Sequence, residues 1–370
     1  MSPPRTVVVC GAGVIGASVA YFLSRRGVAV IVVERSGVAC AASGKSGGFL
    51  ALDWCDGSPL EGLARASFAL HAELARALGG DYGYRRMDTF MMAARERGTP
   101  SSGHRVDAPT WLDGDGVVTG ALGSTETTAQ VHPARFTAAL VAAAQARGSE
   151  LRIGVVEGVV KRDGTACGDT VDGGTVEADA VVLAMGPWTG RLAGLALPAV
   201  RGLKGYSVTL GAADVPPHAL FVDYRTAAGR QLEPELIPRP DGEVYVCGMA
   251  DPASLPDSPD EVEVHEAACS VLARAAARVS SLLAGAPITR RQACYRPVTD
   301  DGLPLIGRVP GLEGAYVATG HSVWGILNAP ATGEAMAELI IDGAVRMVDL
   351  APFDPARLPP LDRVRLPHGA

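Results

Sequence analysis

Residues 7–35, VVVCGAGVIGASVAYFLSRRGVAVIVVER, decide the fold that this chain is expected to adopt. The short β-branched run at 7–10 is typical of a buried parallel strand, and a helical stretch then leads to a second apolar strand. Between strand and helix, Gly11, Gly13 and Gly16 fit the spacing G-x-G-x-x-G. In that pattern the first glycine permits a tight turn, the second lets the backbone approach a pyrophosphate, and the third lets helix and strand pack closely. The stretch therefore predicts a strand–helix–strand unit that binds a dinucleotide.

An acidic residue, Glu34, ends the second predicted strand. A carboxylate at this point can accept hydrogen bonds from ribose hydroxyls and would repel a 2′-phosphate. The pyrophosphate would lie on the unpaired N–H groups that begin the helix. A glycine turn that only packs a helix against a strand is the alternative. If a dinucleotide binds, its predicted contacts in this unit are Gly11, Gly13, Val14, Ile15, Gly16, Glu34 and Arg35.

The composition of the chain limits the classes of protein to which it can belong. With 370 residues, of which 48% are hydrophobic and 20% charged, the sequence is typical of a globular protein of two domains. A net charge of -7 argues against a nucleic-acid partner, because nucleic-acid binders are usually basic. No apolar run reaches the roughly 18 residues needed to cross a membrane, so no transmembrane segment is expected. Seven cysteines without a C-x-x-C pair, and a first strand that starts almost at once, favour a cytoplasmic protein with reduced thiols.

The order of elements along the chain predicts an α/β protein in which one unit interrupts another. Besides the helix of the first unit, four more are expected, at 59–79, 133–147, near 261–284 and at about 330–342. Alternating strands at 206–210 and 244–247 differ from the buried β-branched strands and indicate an inserted antiparallel sheet. The predicted boundaries give a discontinuous dinucleotide-binding domain (1–55, 130–198 and 296–350), a substrate-binding domain (56–129 and 199–295) and a C-terminal tail (351–370).

Four further motifs lie far apart in the chain: SGKSGGFLA at 43–51, AMGPWTG at 184–190, RPVTDDGLPLIG at 296–307 and ATGHSVWGILNAPATGEAMAELI at 318–340. Together with the first unit they resemble the D-amino acid oxidase, glycine oxidase and sarcosine oxidase family of FAD enzymes. The resemblance implies FAD as cofactor, in a Rossmann-like domain built from discontinuous segments, and an inserted α+β substrate domain with an antiparallel sheet. It also implies oxidation of the C–N bond of a small-molecule amino acid or secondary amine to an imine, by hydride transfer to flavin N5. Oxygen or another acceptor would then take the electrons.

The resemblance also implies where FAD lies. Glu34 would hold the adenosine ribose, Val156 would contact adenine through its backbone, and Gly186 with Trp188 would form a second approach to the cofactor. The helix after the last glycine loop would point its N-terminus at the pyrimidine edge of the flavin, where it would stabilise the negative charge of the reduced ring by ~0.3–2 kcal/mol. The implied contacts from the two glycine loops are Ser43, Gly44, Lys45, Ser46, Gly47, Gly48, Gly320, His321, Gly325 and Ile326.

Substrate binding would centre on Arg296, which matches the carboxylate-binding arginine of glycine and D-amino acid oxidases by its place in the motif. Two parallel hydrogen bonds from a guanidinium orient a carboxylate well. A structural arginine paired with Asp300 or Asp301 is the alternative. His321 would contact the flavin or the substrate, or would be a hydrogen-bonded structural histidine. Lys204 would lie near the flavin and help oxygen to react, or would be solvated.

Two positions depart from the family pattern. Glu235 replaces an aromatic residue that lines the substrate site of glycine-oxidase-like members, and Val323 replaces an arginine found in some glycine oxidases. Trp324, next to it, is a further candidate for the substrate site. These departures are compatible with a cationic or larger amine as substrate. They are equally compatible with a flavoprotein that has an assembly or trafficking role and little turnover, while an NAD-dependent dehydrogenase is an alternative that rests on the glycine fingerprint alone.

Cys294 falls where sarcosine-oxidase-like members carry a covalent thioether to the flavin 8α carbon. The thiolate is the nucleophile in such chemistry, and Arg291 and Arg296, which are close in sequence, would lower the pKa of the thiol. The arginine and proline that follow match the non-covalent oxidases instead, so a small buried core cysteine is the alternative. No metal site is predicted.

Overall fold

The structure is a computed structural model that describes residues 3–79, 81–100 and 108–361. Its α-helices are α1 (Val14–Arg25), α2 (Glu61–Ala77), α3 (Pro133–Gln145), α4 (Glu266–Ala277), α5 (Ser281–Ala284) and α6 (Gly325–Asp342). Short 3-10 helices cover Gly186–Arg191, Pro259–Glu261, Ser322–Trp324, Ala351–Phe353 and Pro355–Arg357. Within the described ranges, no helix combines the length and the apolar character that a membrane span requires.

The strands, in chain order, are β1 (Thr6–Cys10), β2 (Ala29–Glu34), β3 (Phe49–Ala51), β4 (Arg85–Arg86), β5 (Asp88–Arg95), β6 (Val117–Gly123), β7 (Thr128–Gln130), β8 (Glu150–Ile153), β9 (Val156–Arg162), β10 (Thr165–Val171), β11 (Gly174–Glu177), β12 (Ala180–Leu183), β13 (Arg201–Gly211), β14 (His218–Arg225), β15 (Gln231–Leu232), β16 (Glu235–Pro238), β17 (Glu243–Asp251), β18 (Ile288–Val298), β19 (Leu305–Arg308) and β20 (Ala315–Thr319). They form two large sheets and two small ones. The small sheets have the orders β11-β10-β9 and β3-β7-β4.

The first large sheet has the strand order β19-β20-β12-β1-β2-β8, and its neighbours pair in parallel except for β19 with β20. Val7 and Val9 pack with α1, α2, α3 and α6 on one face. Val8 and Cys10 pack with the small sheet β11-β10-β9 on the other face. A strand that is covered on both faces needs an unbroken apolar run, and residues 7–10 supply one. The predicted Rossmann-like unit is confirmed.

The second large sheet has the order β18-β13-β17-β16-β14-β5-β6, with β15 paired to β14. Helices α4 and α5 cover one of its faces through Leu272 and Leu283. On the other face, Ile237 and Tyr245 pack against Phe49, which belongs to the glycine-loop segment of the first unit. The predicted inserted α+β unit is confirmed, although its sheet is mixed, because β14 and β5 run parallel.

Two helices differ from their sequence-based bounds. The helix expected over 261–284 is two helices, because the Ser280 hydroxyl accepts from the Leu282 amide and caps a new helix, α5. The helix expected from about residue 330 begins at Gly325, so that Pro330 lies inside α6 rather than in its first turn. A local cap changed the first of these bounds, whereas the second depends on side chains of another helix that contact α6 around Pro330.

Helix α2 packs with the first unit. Its apolar residues Leu63, Phe68 and Leu74 belong to the same core as α1, α3 and α6. The predicted boundaries group residues 56–129 with the second sheet, and that grouping does not describe α2. We propose that α2 belongs to the dinucleotide-binding unit, and the remaining domain boundaries stay predictions.

A buried thiol–carboxylate pair joins the first large sheet to the small sheet β11-β10-β9. The Cys10 thiol donates to Asp169 Oδ2, and both side chains are fully buried. The other carboxylate oxygen, Oδ1, has no hydrogen-bond partner among the described residues. Burial raises the pKa of Asp169 to about 6. This pKa lies above that of an aspartate in the unfolded chain. At pH values between the two pKa values, the folded state therefore binds a proton that the unfolded state has lost.

We expect Asp169 to lower the stability of the protein as the pH rises from about 4 to above 6. The difference between a folded pKa of about 6 and the ordinary aspartate value of about 4 corresponds to roughly 3 kcal/mol of unfolding free energy, which is fully present below pH ~4 and is lost as the pH passes 6. Asp169→Asn should remove most of this pH dependence. Urea unfolding at pH 5 and pH 8 measures it, with the exposed Asp214→Asn as the control, and an unchanged difference between the two pH values would contradict the assignment.

Candidate active site

A cavity of about 530 Å³ lies where the carboxyl ends of the parallel strands meet the second sheet. Many residues predicted from the sequence line it: Gly11, Gly13, Val14, Ile15, Glu34, Arg35, Ser43, Lys45, Ser46, Val156, Gly186, Trp188, Cys294, Arg296, His321, Gly325 and Ile326. Other predicted residues do not line it: Gly16, Gly44, Gly47, Gly48, Lys204, Glu235, Gly320 and Trp324. The structure therefore gathers most of the widely separated motifs around one space.

The glycine turn after β1 leaves no room for a side chain at Gly11 or at Gly16. Gly11 has φ +106°, and a Cβ there would lie 2.6 Å from the carbonyl oxygen of Ala184. A Cβ on Gly16 would lie 2.0 Å from the carbonyl oxygen of Gly11. The Gly11 amide also donates to the Val33 carbonyl at 2.7 Å. The ends of β1, β2 and β12 and the first turn of α1 thus meet at this turn.

Backbone amides fix the carboxylate of Glu34 at the end of β2. Its Oε2 accepts from the Ala12 amide at 2.7 Å, and its Oε1 accepts from the Ser36 amide at 3.1 Å. The residue is 9% exposed and lines the cavity. Ser43 closes the start of α1, because its Oγ accepts from the Val14 amide at 2.9 Å.

The three loop glycines that do not line the cavity shape the loop instead. A Cβ on Gly44 would lie 2.1 Å from the Ala39 carbonyl oxygen. Gly48 has φ +78°, and a Cβ there would lie 2.0 Å from the Val131 carbonyl oxygen. Gly47 packs against the second sheet, where a Cβ would lie 3.2 Å from the ring of Tyr245. These positions hold the loop close to its neighbours.

The second sheet also holds the glycine loop through two hydrogen bonds. The Tyr245 hydroxyl donates to the Lys45 carbonyl at 3.0 Å. The Arg239 guanidinium donates to the Ser46 carbonyl at 3.0 Å and is itself 4% exposed. Tyr245 also lines the cavity, so one residue both positions the loop and forms part of the wall. Sequence analysis did not identify either residue, because the strand pattern alone does not show which loop a strand faces.

Arg296 reaches the cavity from β18 without an acidic partner from its own motif. Its Nε is buried and has no hydrogen-bond partner among the described residues. Asp300 instead pairs with Arg201 at 2.8 Å, and Asp301 pairs with Arg357 at 2.8 Å. The alternative in which Arg296 is tied to one of these acids is therefore wrong.

Glu235 lies behind the cavity rather than in its lining. It is the cross-strand neighbour of Cys247, whose thiol donates to Glu235 Oε2 at 3.7 Å. Burial raises the pKa of the Glu235 carboxyl, and the positive charge of Arg296 opposes this shift. No ion pair joins Glu235 to Arg296 in the described part of the chain, so the two groups interact at longer range.

The Cys294 thiol lines the cavity as a neutral group. Burial raises its pKa, while the positive charges of Arg296 and Lys45 act in the opposite direction. Arg291, which was expected to lower this pKa, is exposed and approaches Glu266 at 3.9 Å. Residues three apart on a strand point to opposite faces, so Arg291 is turned away from the thiol. The expectation that Arg291 activates this cysteine is wrong.

His321 is a neutral histidine in the cavity wall. It is 3% exposed, and burial lowers the pKa of its imidazole to about 3. Its Nε2 lies 3.1 Å from the Thr332 hydroxyl, whereas its buried Nδ1 has no hydrogen-bond partner among the described residues. The ring can therefore exchange a hydrogen bond with a bound group, and it carries no charge at physiological pH.

The structure does not bring Lys204 or Trp324 to the cavity. Lys204 is paired across the strands with Tyr295, and its Nζ lies 5.9 Å from the centre of that ring and 5.4 Å from that of Tyr206. The neighbouring residue on β18, Arg296, points to the opposite face of the sheet. Lys204 is therefore on the wrong face for the predicted role. Trp324 packs against the core of the first unit.

A segment between β17 and α4 crosses the rim of the cavity. Trp188 Nε1 donates to the Pro256 carbonyl at 2.9 Å, and the Arg35 guanidinium donates to the Asp257 carbonyl at 2.5 Å. Arg191 donates to the Leu255 carbonyl at 2.6 Å. This segment carries no sequence motif, because backbone carbonyls make the contacts, and sequence analysis did not identify it.

The fold and the cavity define a dinucleotide-binding oxidoreductase, and comparisons with known proteins identify its family. A family model described as FAD dependent oxidoreductase, DAO, matches residues 6–339. A Schizosaccharomyces pombe protein that is named only provisionally as an oxidoreductase is 31% identical over 392 residues, which cover 96% of this chain and 99% of that protein. The glycine oxidase of Geobacillus kaustophilus is 29% identical over 379 residues, which cover 95% of this chain and 96% of that protein. The crystal structure of glycine oxidase from that organism has a TM-score of 0.78 at 26% identity, covering 97% of this chain and 100% of that chain.

The chain belongs to the DAO family of FAD-dependent oxidoreductases. The cavity residues fit this cofactor on their own chemistry. Glu34 offers a fixed carboxylate beside a turn that excludes a side chain at Gly11, as a dinucleotide-binding turn requires. The buried Nε of Arg296 and Nδ1 of His321 lack partners among the described residues, and leaving such atoms unpaired is costly. A bound group in the cavity would satisfy them.

We expect Gly16→Ala to reduce FAD binding strongly. A Cβ placed 2.0 Å from the Gly11 carbonyl oxygen must push α1 away from the turn, at a cost of about 1–3 kcal/mol. Gly62→Ala on α2 is the matched control, because a Cβ there meets nothing within 4 Å and should stabilise the helix by up to ~1 kcal/mol. FAD titration by fluorescence measures both, and equal affinities in the two variants would contradict the geometry.

We expect FAD to be held without a covalent bond to Cys294. The raised pKa leaves the thiol neutral near pH 7, and a neutral thiol is a poor nucleophile. Acid precipitation of the purified protein should leave all the yellow colour in the supernatant, and Cys294→Ser should keep its FAD. Flavin that stays with the precipitate of the wild type but not of the variant would show a thioether.

Proposed function

We propose that this protein oxidises the C–N bond of an amino acid or secondary amine to an imine, with FAD as the acceptor of the hydride. The observation that carries the proposal is Arg296, whose guanidinium lies in the cavity with a buried Nε that lacks a partner among the described residues. A guanidinium in this state fits a carboxylate, which two parallel hydrogen bonds would orient. Bound FAD would supply the site that accepts the hydride.

The chain's own residues would chiefly position the reactants. Arg296 would hold the substrate carboxylate and so fix the Cα–H, and correct orientation alone can account for much of the rate of such a reaction. His321 would exchange a hydrogen bond through a neutral ring, because burial lowers the pKa of this residue to about 3. The start of α6, at Gly325 and Ile326, would direct its positive end toward the cavity.

The relatives support a small amine as substrate. Those from Geobacillus kaustophilus and Bacillus licheniformis are named glycine oxidase. In this chain Val323 lines the cavity and is 54% exposed, and the Glu235 carboxyl feels the positive charge of Arg296. We therefore propose a substrate that has a carboxylate for Arg296 and space for a group beyond that of glycine.

Two finer points belong to the same proposal. Oxygen or another acceptor would reoxidise the flavin. The protein would act in the cytoplasm, where its seven cysteines, none of which forms a disulfide, would stay reduced.

We expect Arg296→Ala to lower kcat/KM by roughly 30- to 5,000-fold, because removing one partner of a buried charge pair costs about 2–5 kcal/mol. Arg296→Lys should recover part of this loss, mainly in KM, since a lysine cannot form the paired hydrogen bonds. Arg291→Ala is the matched control on the same strand, turned to the opposite face. Anaerobic bleaching of the flavin by a panel of amines and amino acids, with both enantiomers, measures the effect.

Two results would contradict the proposal. The first is a wild-type protein whose bound FAD no member of the panel reduces, which would instead favour a flavoprotein with an assembly or trafficking role. The second is bleaching by a carboxylate-bearing substrate at the same rate in Arg296→Ala and in the wild type.

A further inference from the structure

A proline interrupts the helix whose first residues line the cavity. Pro330 lies in the second turn of α6, while Gly325 and Ile326 of the first turn belong to the cavity wall. Proline has no N–H to give to the carbonyl four residues earlier, which is that of Ile326, and its ring crowds the same carbonyl. The helix nevertheless continues from Gly325 to Asp342. Something outside α6 must therefore satisfy the groups that Pro330 leaves unpaired.

Helix α2 supplies the missing partners from two side chains one turn apart. His71 Nε2 lies 2.9 Å from the Ile326 carbonyl oxygen and 3.2 Å from that of Leu327. Because a carbonyl only accepts, Nε2 carries the proton and donates to both oxygens. Ser67 Oγ accepts from the Ala331 amide at 3.0 Å, on the C-terminal side of the proline. Residues four apart on a helix share one face, so α2 presents both groups to α6 together.

These contacts are fully buried. Ser67, His71 and Ala331 are fully buried, and the His71 ring packs on Phe136 of α3 with 4.9 Å between ring centres. Burial lowers the pKa of His71 to about 4, so the ring stays neutral and keeps this donor at physiological pH. The hydrogen bonds from His71 to α6 are therefore retained at physiological pH.

We propose that Ser67 and His71 are positioning residues of the flavin site, which hold the first two turns of α6 in place around Pro330 and so direct the start of this helix at the cofactor. Neither residue lines the cavity, so each acts only through α6. A helix start aimed at the flavin favours the negative charge of the reduced ring. The pair therefore tunes both the affinity for FAD and its reduction potential. This inference depends on the bound cofactor and not on the amine substrate. It can therefore fail while the proposed amine oxidation holds, and the reverse is also true.

The test compares His71→Phe, His71→Gln and Ser67→Ala with the wild type, as full chains whose FAD is removed for the titration and retained for the measurement of potential. His71→Phe keeps a buried ring but has no donor, and we expect FAD to bind about tenfold more weakly. If reduced FAD loses a further tenfold relative to oxidised FAD, the reduction potential falls by about 30 mV for this two-electron couple. His71→Gln retains a donor and should recover most of both losses. Ser18→Ala is the control for Ser67→Ala, because Ser18 Oγ is buried without a hydrogen-bond partner among the described residues.

Pro330→Ala gives the decisive comparison. An alanine at this position returns an N–H to the Ile326 carbonyl, so the helix no longer depends on α2. In that background His71→Phe should change FAD affinity and potential at least threefold less than it does in the wild type. Fluorescence titration with FAD and spectroelectrochemistry measure both quantities without any substrate.

Two outcomes would overturn the proposal. One is an unchanged affinity and potential in both His71→Phe and Ser67→Ala. The other is an equal loss for His71→Phe with and without Pro330→Ala, which would mean that the histidine acts on packing alone. If His71→Phe does not fold, the potential of Ser67→Ala against that of Ser18→Ala decides the matter.

Discussion

The close approach of backbone at Gly11 is the constraint on which the rest of the structure depends. At this point the amide of Gly11 reaches Val33, the carbonyl of Ala184 excludes any side chain, and Gly16 brings α1 onto the same turn. Three strands and a helix can meet only because no side chain separates them. Their meeting opens the space at the carboxyl ends of the strands, which is where a doubly wound sheet binds its ligand.

The second unit completes this space and does not merely cover it. Tyr245 and Arg239 hold carbonyls of the glycine loop, while Trp188 and Arg35 of the first unit hold carbonyls of the segment between β17 and α4. Each unit therefore fixes a loop of the other. A substitution in either unit can therefore alter the cavity through hydrogen bonds to the backbone of the other unit.

The sequence predicted the parts of the site that depend on a local residue pattern. It did not predict the parts that depend on strand pairing or on hydrogen bonds from another helix. The turn at Gly11 and the acid at Glu34 follow from spacing within one strand–helix–strand unit, and both line the cavity. Lys204 was misplaced because the face of a strand residue depends on its pairing, here with Tyr295. The start of α6 was misplaced because Pro330 is tolerated only with donors from another helix. Neither fact can be derived from the neighbouring residues alone.

The groups around Arg296 favour an anion in that part of the cavity. Burial favours the neutral forms of Cys294 and His321 and raises the pKa of Glu235, whereas Arg296 brings a guanidinium to the cavity wall. The start of α6 adds a further partial positive charge at the same place. A substrate carboxylate and the negative charge of a reduced flavin therefore both find favourable surroundings there. The same wall would disfavour an amine that carries a positive charge and no carboxylate, so under the proposed function Arg296 would limit the range of substrates as well as orient them.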